Sequence, residues 1–113
     1  MVTRAAERRD PSDVVHAVLD VVDSIPKGRV LSYGDVARRL GMGSARQVGQ
    51  VLARHGHEVP WHRVVMADGR PAPHRPGEQL ARLRADGVPA PGGRVEMERF
   101  RWTAPPTRRP PGP

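Results

Sequence analysis

Ser32-Tyr33-Gly34-Asp35-Val36-Ala37-Arg38-Arg39-Leu40-Gly41-Met42-Gly43-Ser44-Ala45-Arg46-Gln47-Val48-Gly49-Gln50-Val51-Leu52-Ala53-Arg54 is the stretch that decides the fold. Ser32 to Asp35 resembles a helix-capping box with aspartate in place of glutamate, in which the serine hydroxyl and the carboxylate each accept one otherwise orphaned backbone N–H. Val36, Ala37 and Leu40 then supply the buried face of a short helix, which Gly41-Met42-Gly43 breaks. Ser44 to Gln47 reads as a second capping box. It opens a helix on which Ala45, Val48, Gly49 and Leu52 lie together while Arg46, Gln50 and Arg54 point elsewhere. Helix, glycine-containing turn and second capped helix make a helix-turn-helix.

Upstream, Asp10-Pro11-Ser12-Asp13 starts a helix, with Asp10 as N-cap and proline at the first helical position. Val14, Val15, Val18, Leu19 and Val22 form its apolar stripe, and Ile25-Pro26 closes it. Lys27-Gly28 is a turn and Arg29 to Leu31 a short strand. Downstream, the β-branched run Pro60 to Met66 and the turn Ala67 to Arg70 read as a wing-like strand and loop. Residues 71–77 are a loop. Glu78 to Asp86 is a helix carrying Leu80 and Leu83, with Gly87 as its left-handed cap. Gly92-Gly93 precedes a strand-like stretch from Arg94 to Trp102. The expected fold is mainly α with short β wing strands: a single winged helix-turn-helix domain over residues 10–102, between a flexible arm (1–9) and a disordered Pro/Arg-rich tail (103–113).

Composition narrows the function. At 113 residues the chain supports one small domain, burying roughly 65% of the surface its unfolded form would expose. Nineteen Lys and Arg against twelve acids give a formal charge of +7, and nearly all the cations are arginine. Guanidinium suits bidentate phosphate contact and stacking, so a polyanion is a natural partner, although a general residue-usage bias would produce the same excess. Zero cysteine excludes disulfides, a thiolate nucleophile and Cys-ligated zinc. His55, His57, His62 and His74 lack the helical spacing and carboxylate shell of a metal site. No cofactor motif is visible. No segment is long and apolar enough for a membrane span or a signal peptide, so an intracellular location is expected, cytoplasmic or, in a prokaryote, nucleoid-associated. A monomer is expected.

Five ordered segments carry a family likeness: Ile25 to Val30, Ser32 to Ala37, Ala45 to Gly49, Pro60-Trp61-His62-Arg63-Val64-Val65, and Asp86-Gly87-Val88. Together, from about Val14 to Trp102, they resemble the DNA-binding domain of the O6-alkylguanine-DNA alkyltransferases. In that family Pro-Cys-His-Arg-Val carries the alkyl-accepting cysteine. Tryptophan in its place is similar to the alkyltransferase-like proteins. The resemblance implies a recognition helix in the minor groove and a damaged guanine flipped into a pocket beside the motif. Arg46 would fill the hole left in the base stack, and Tyr33 would help rotate the nucleotide and contact the base. Ala45 and Gly49 would let the helix approach DNA closely, though Gly49 could equally serve helix packing. Leu52, Val64 and Trp61 would wall the pocket, with Arg75, or else His74, reaching the lesion base. His62, Arg63 and Asp86 would support the motif structurally, since without a thiol the His62–Asp86 pair has no nucleophile to activate.

The resulting expectation is a non-enzymatic sensor that binds O6-alkylguanine in double-stranded DNA, without cofactor or metal, and signals to nucleotide excision repair proteins. Two rivals are a winged-helix regulator of undamaged DNA, which would not need the Trp61 motif, and a cysteine-independent dealkylating enzyme. The enzyme would require His62 or a water to attack the alkyl carbon.

Overall fold

The computed structural model describes residues 11–41 and 44–103. Asp10 as a cap, the arm and the tail beyond Thr103 lie outside them. Helix α1 spans Pro11–Ser24. Strand β1 (Leu31–Ser32) leads directly into α2 (Tyr33–Arg39), and the turn at Gly41 precedes α3 (Ala45–His55). After two short 3-10 turns come β2 (Val64–Val65), α4 (Pro76–Ala85) and the single-turn α5 (Met97–Phe100). Mostly helical, with one two-stranded sheet among the described residues, the chain has the expected fold class.

Strands β1 and β2 pair in parallel, Leu31 against Val64 and Ser32 against Val65. Successive strand residues face opposite ways, so this small sheet divides the interior in two. Leu31 and Val64 point into the larger cluster with Val18, Val22, Ile25, Val36, Ala37, Val48 and Val51, which joins α1, α2 and α3. Val30 and Val65 point into a second cluster with Leu83, Val88 and Val95. Each side of the sheet thus anchors half of the molecule.

Local signals hold well. Ser32 and Asp35 form the reciprocal capping box: Ser32 Oγ accepts from Asp35 N at 3.0 Å, and Asp35 Oδ2 accepts from Ser32 N at 2.9 Å. Ser44 caps α3 by accepting from Gln47 N at 3.2 Å, half of the box expected there. Gly87 adopts φ 88°, and the Val88 N–H closes onto Leu83 O at 2.9 Å, ending α4 in a left-handed cap.

Four expectations are corrected. The first strand is Leu31–Ser32 rather than Arg29 to Leu31, because its partner Val64 sets the register. Helix α4 begins at Pro76, two residues before Glu78, since proline is preorganised for a first helical turn. The run Pro60 to Met66 is not one strand: Trp61–Arg63 is a 3-10 turn closed by Arg63 N to Pro60 O at 3.0 Å. In a strand His62 and Arg63 would face opposite ways, whereas the turn brings both onto Asp86. Finally, Arg94 to Trp102 contains α5. Met97 and Phe100, three apart, pack together on the second cluster at helical spacing, and only Arg101 bridges to Val30.

Candidate nucleic-acid interface

The capping box positions the first element of the site. Burial works to raise the Asp35 carboxyl, but the hydrogen bonds from Ser32 and the nearby Arg101 guanidinium outweigh it and hold it below the usual carboxylate range. The carboxylate also accepts from Arg38 at 2.7 Å and Arg101 at 3.0 Å, pinning α2 to the end of the described chain. Tyr33, the first residue of that helix, is half-buried, and burial raises its hydroxyl pKa, so it remains a neutral donor.

Beside Tyr33 opens a cavity of about 480 Å³, lined by Tyr33, Gly34, Ala45, Gly49, Ala53, Met66, Ala67, Ala72, Pro73 and His74. Ala45, Gly49 and Ala53 lie four apart on one face of α3, and their small side chains make the wall. Val48 and Val51 on the opposite face are buried in the core. The expected stripe of Ala45, Val48, Gly49 and Leu52 is therefore split: Val48 packs inward, while Ala45, Gly49 and Leu52 line the cavities. Gly49 meets the Tyr33 ring, whose Cε1 would lie 4.0 Å from an added Cβ. It faces the cavity and the Tyr33 ring at the start of α2. Arg46, one residue beyond Ala45, is exposed and makes no hydrogen bond or ion pair with the described residues.

Leu52 and Trp61 line a second cavity of about 220 Å³, together with Ala53, Gly56, His57, His74 and Arg75. Val64, expected in this wall, is fully buried instead, because its pairing with Leu31 turns it into the larger core cluster. The Trp61 ring lies 6.0 Å from His74 and has the Arg82 guanidinium 5.8 Å from its centroid. Ala53 and His74 border both cavities, whereas Arg75 borders only the smaller. Met66, Ala67, Ala72 and Pro73 were not singled out by the sequence reading. They lie in loop and turn, where no periodicity distinguishes a lining residue.

The motif is braced from behind. His62 Nε2 lies 2.9 Å from Asp86 Oδ2, and Arg63 donates to both Asp86 oxygens, at 2.8 and 3.3 Å, and to Ile25 O at 3.0 Å. Burial lowers the His62 pKa, reinforced by Arg63 and Arg82 and only partly opposed by Asp86. Burial pushes Asp86 upward, but the hydrogen bonds from Arg63 and His62 prevail and keep it ionised. A neutral His62 facing a carboxylate donates through Nε2, which leaves Nδ1 as a buried acceptor without a partner in the described structure. Gln79, also unforeseen, is fully buried. Its amide donates to His62 O at 3.0 Å and Val64 O at 2.7 Å and accepts from Ala72 N at 2.7 Å, clipping the motif to the cavity loop. The available hint was a glutamine one residue before Leu80 on an otherwise amphipathic helix.

A capped helix-turn-helix with an apolar cavity against the second helix, and a braced Pro-Trp-His-Arg turn beside it, matches a known family. Residues 13–88 match the 6-O-methylguanine DNA methyltransferase DNA-binding domain, and the chain belongs to that family. Within it the chain is alkyltransferase-like, as the sequence resemblance implies. The DNA base-flipping protein of Escherichia coli K12 is 44% identical over 91 residues, covering 75% of this chain and 70% of that one. Alkyltransferase-like protein 1 of Schizosaccharomyces pombe is 52% identical over 56 residues, 46% of this chain and 51% of that one. The crystal structure of the latter in complex with damaged DNA containing O6-carboxymethylguanine superposes with a TM-score of 0.72 at 31% identity, covering 86% of this chain and 100% of that chain.

Proposed function

We propose that this chain recognises O6-alkylguanine in duplex DNA by laying α3 in the minor groove and receiving the flipped nucleotide in the cavity beside Tyr33. The observation that carries this is the cavity itself, an apolar chamber with a wall of Ala45, Gly49 and Ala53 in a chain without cysteine. Small residues let the helix backbone approach the groove, and an apolar chamber compensates a base for lost stacking. Arg46, exposed and unengaged at the start of α3, would enter the gap left in the stack. Tyr33 would meet the base with ring and hydroxyl.

Trp61 stands where the family's transferases keep their acceptor thiol, so the protein binds without taking the alkyl group, and the bound lesion is passed to nucleotide excision repair. Double-stranded DNA is the direct partner. The relatives' names support this reading, since one is called a base-flipping protein and another is bound to DNA carrying O6-carboxymethylguanine. The test is an anisotropy titration of one duplex with and without O6-methylguanine, followed by incubation with a methyl-labelled duplex. Preference for the lesion with all label retained on DNA is expected. Equal affinity for both duplexes would favour a reader of undamaged DNA, and label on the protein or in solution would indicate an enzyme.

A further inference from the structure

We propose that the smaller cavity beside Trp61 is a subsite for the anionic end of an O6-substituent, so that adducts ending in a carboxylate are held more tightly than neutral adducts of the same shape. This rests on the reading that the larger cavity takes the flipped base. The two cavities are neighbours that share Ala53 and His74 in their linings, and the Ala53 methyl is the smallest side chain a residue other than glycine could place there. A substituent on a base seated against Tyr33 and Gly49 would extend past these shared residues towards Trp61.

The chambers differ in charge. The larger has one basic side chain in its lining, His74, among apolar and small neighbours. The smaller has His57, His74 and Arg75, and no acid in its lining. The acids paired with these groups are outside the lining: Glu58 is 3.5 Å from His57, and Glu78 holds Arg75 at 3.4 Å and Arg82 at 2.9 Å. Arg82 in turn lies over the Trp61 ring. The Arg75 contact is long and its side chain is 60% exposed, so little is lost when it exchanges Glu78 for a ligand carboxylate. An imidazole offers an N–H in either protonation state, so His57 and His74 can donate to the same group. A neutral substituent would gain only the Leu52 and Trp61 walls.

The test uses the full chain and three duplexes differing at one base: guanine, O6-carboxymethylguanine, and its neutral isostere O6-carbamoylmethylguanine. The acid should bind about fivefold more tightly than the amide, the scale of an exposed ion pair. Arg75→Gln should bring the acid-to-amide ratio close to one, and His74→Gln should reduce it. Taking the ratio cancels any general loss of phosphate attraction. If acid and amide bind equally and both exceed guanine, the subsite is overturned while lesion recognition stands. If the ratio survives both substitutions, these side chains are not its source and the assignment fails. If neither adduct exceeds guanine, the proposed function falls and the subsite with it.

Discussion

The Trp61–Arg63 turn and the outer face of α3 border neighbouring cavities that share Ala53 and His74, yet one is tied down and the other is bare. Behind the turn, His62 and Arg63 converge on Asp86, and Gln79 takes the His62 and Val64 carbonyls. On α3, Ala45, Gly49 and Ala53 present little more than backbone, and Arg46 has no described partner. Groups already satisfied within the fold have little left for a ligand, whereas bare ones cost nothing to redirect. The difference separates a scaffold from a contact surface, and substitutions should sort the same way.

The largest effect is expected from Asp86→Ala. Its side chain is 10% exposed and holds two partners, so its removal strands Arg63 and His62 inside the fold and should cost about 3 kcal/mol of stability. Urea unfolding measures it. A loss below about 0.5 kcal/mol, in the range of ordinary surface substitutions, would show that the turn is not braced as described.

Arg46→Ala should do the opposite, leaving the unfolding midpoint unchanged while weakening binding to a lesion duplex by about 1–3 kcal/mol, because extruding a nucleotide costs a few kcal/mol and the gap would lose its occupant. Fluorescence of 2-aminopurine at the target position reports the flipping directly. A variant that flips as well as the parent would remove Arg46 from the contact surface and blur the contrast.

The scaffold should also carry a pH signature that the α3 face lacks. Burial holds His62 below its ordinary value of 6.5, so the unfolded chain binds the proton more readily than the folded one. Its contribution is complete above about pH 6.5 and declines as the pH falls from there towards the folded value. Asp35 and Asp86, both lowered, add a further loss at more acid pH, as it falls through their folded values. Melting temperatures of parent and His62→Asn between pH 7.5 and 5 should differ in slope, the variant being flatter. Parallel slopes would mean that His62 does not titrate as a buried group.

The smallest effect sharpens the contrast at a single carbon. An added Cβ at Gly49 would stop 4.0 Å from the Tyr33 ring, so the fold has room for alanine and α3 should gain about 0.5–1 kcal/mol in helix propensity. The methyl nevertheless enters the larger cavity. Gly49→Ala should therefore raise the melting temperature slightly and lower affinity for the lesion duplex, measured in parallel. Lower stability would place Gly49 in helix packing instead.

What is encoded within a few residues can be read along the chain. Ser32 with Asp35, Ser44 with Gln47, and Gly87 after α4 mark helix ends because capping and left-handed turns are satisfied locally. The valine stripe of α1 needs only its own period. The five motif segments were legible in the chain and carried the family likeness, as the match over residues 13–88 bears out. The rest depends on contacts between segments distant in the chain. A two-residue strand has no period of its own, so the pairing of Leu31 with Val64 fixes both its bounds and the burial of Val64. Gln79 acquires its role only when α4 brings it under the 3-10 turn, and the Arg94 to Trp102 segment becomes helical where Met97 and Phe100 share one cluster. The cavities are gaps between α3 and loops that close around it, which is why Ala53, Met66 and Ala72 give no signal of lining one wall until the chain is folded, and why spacing leaves His74 and Arg75 open.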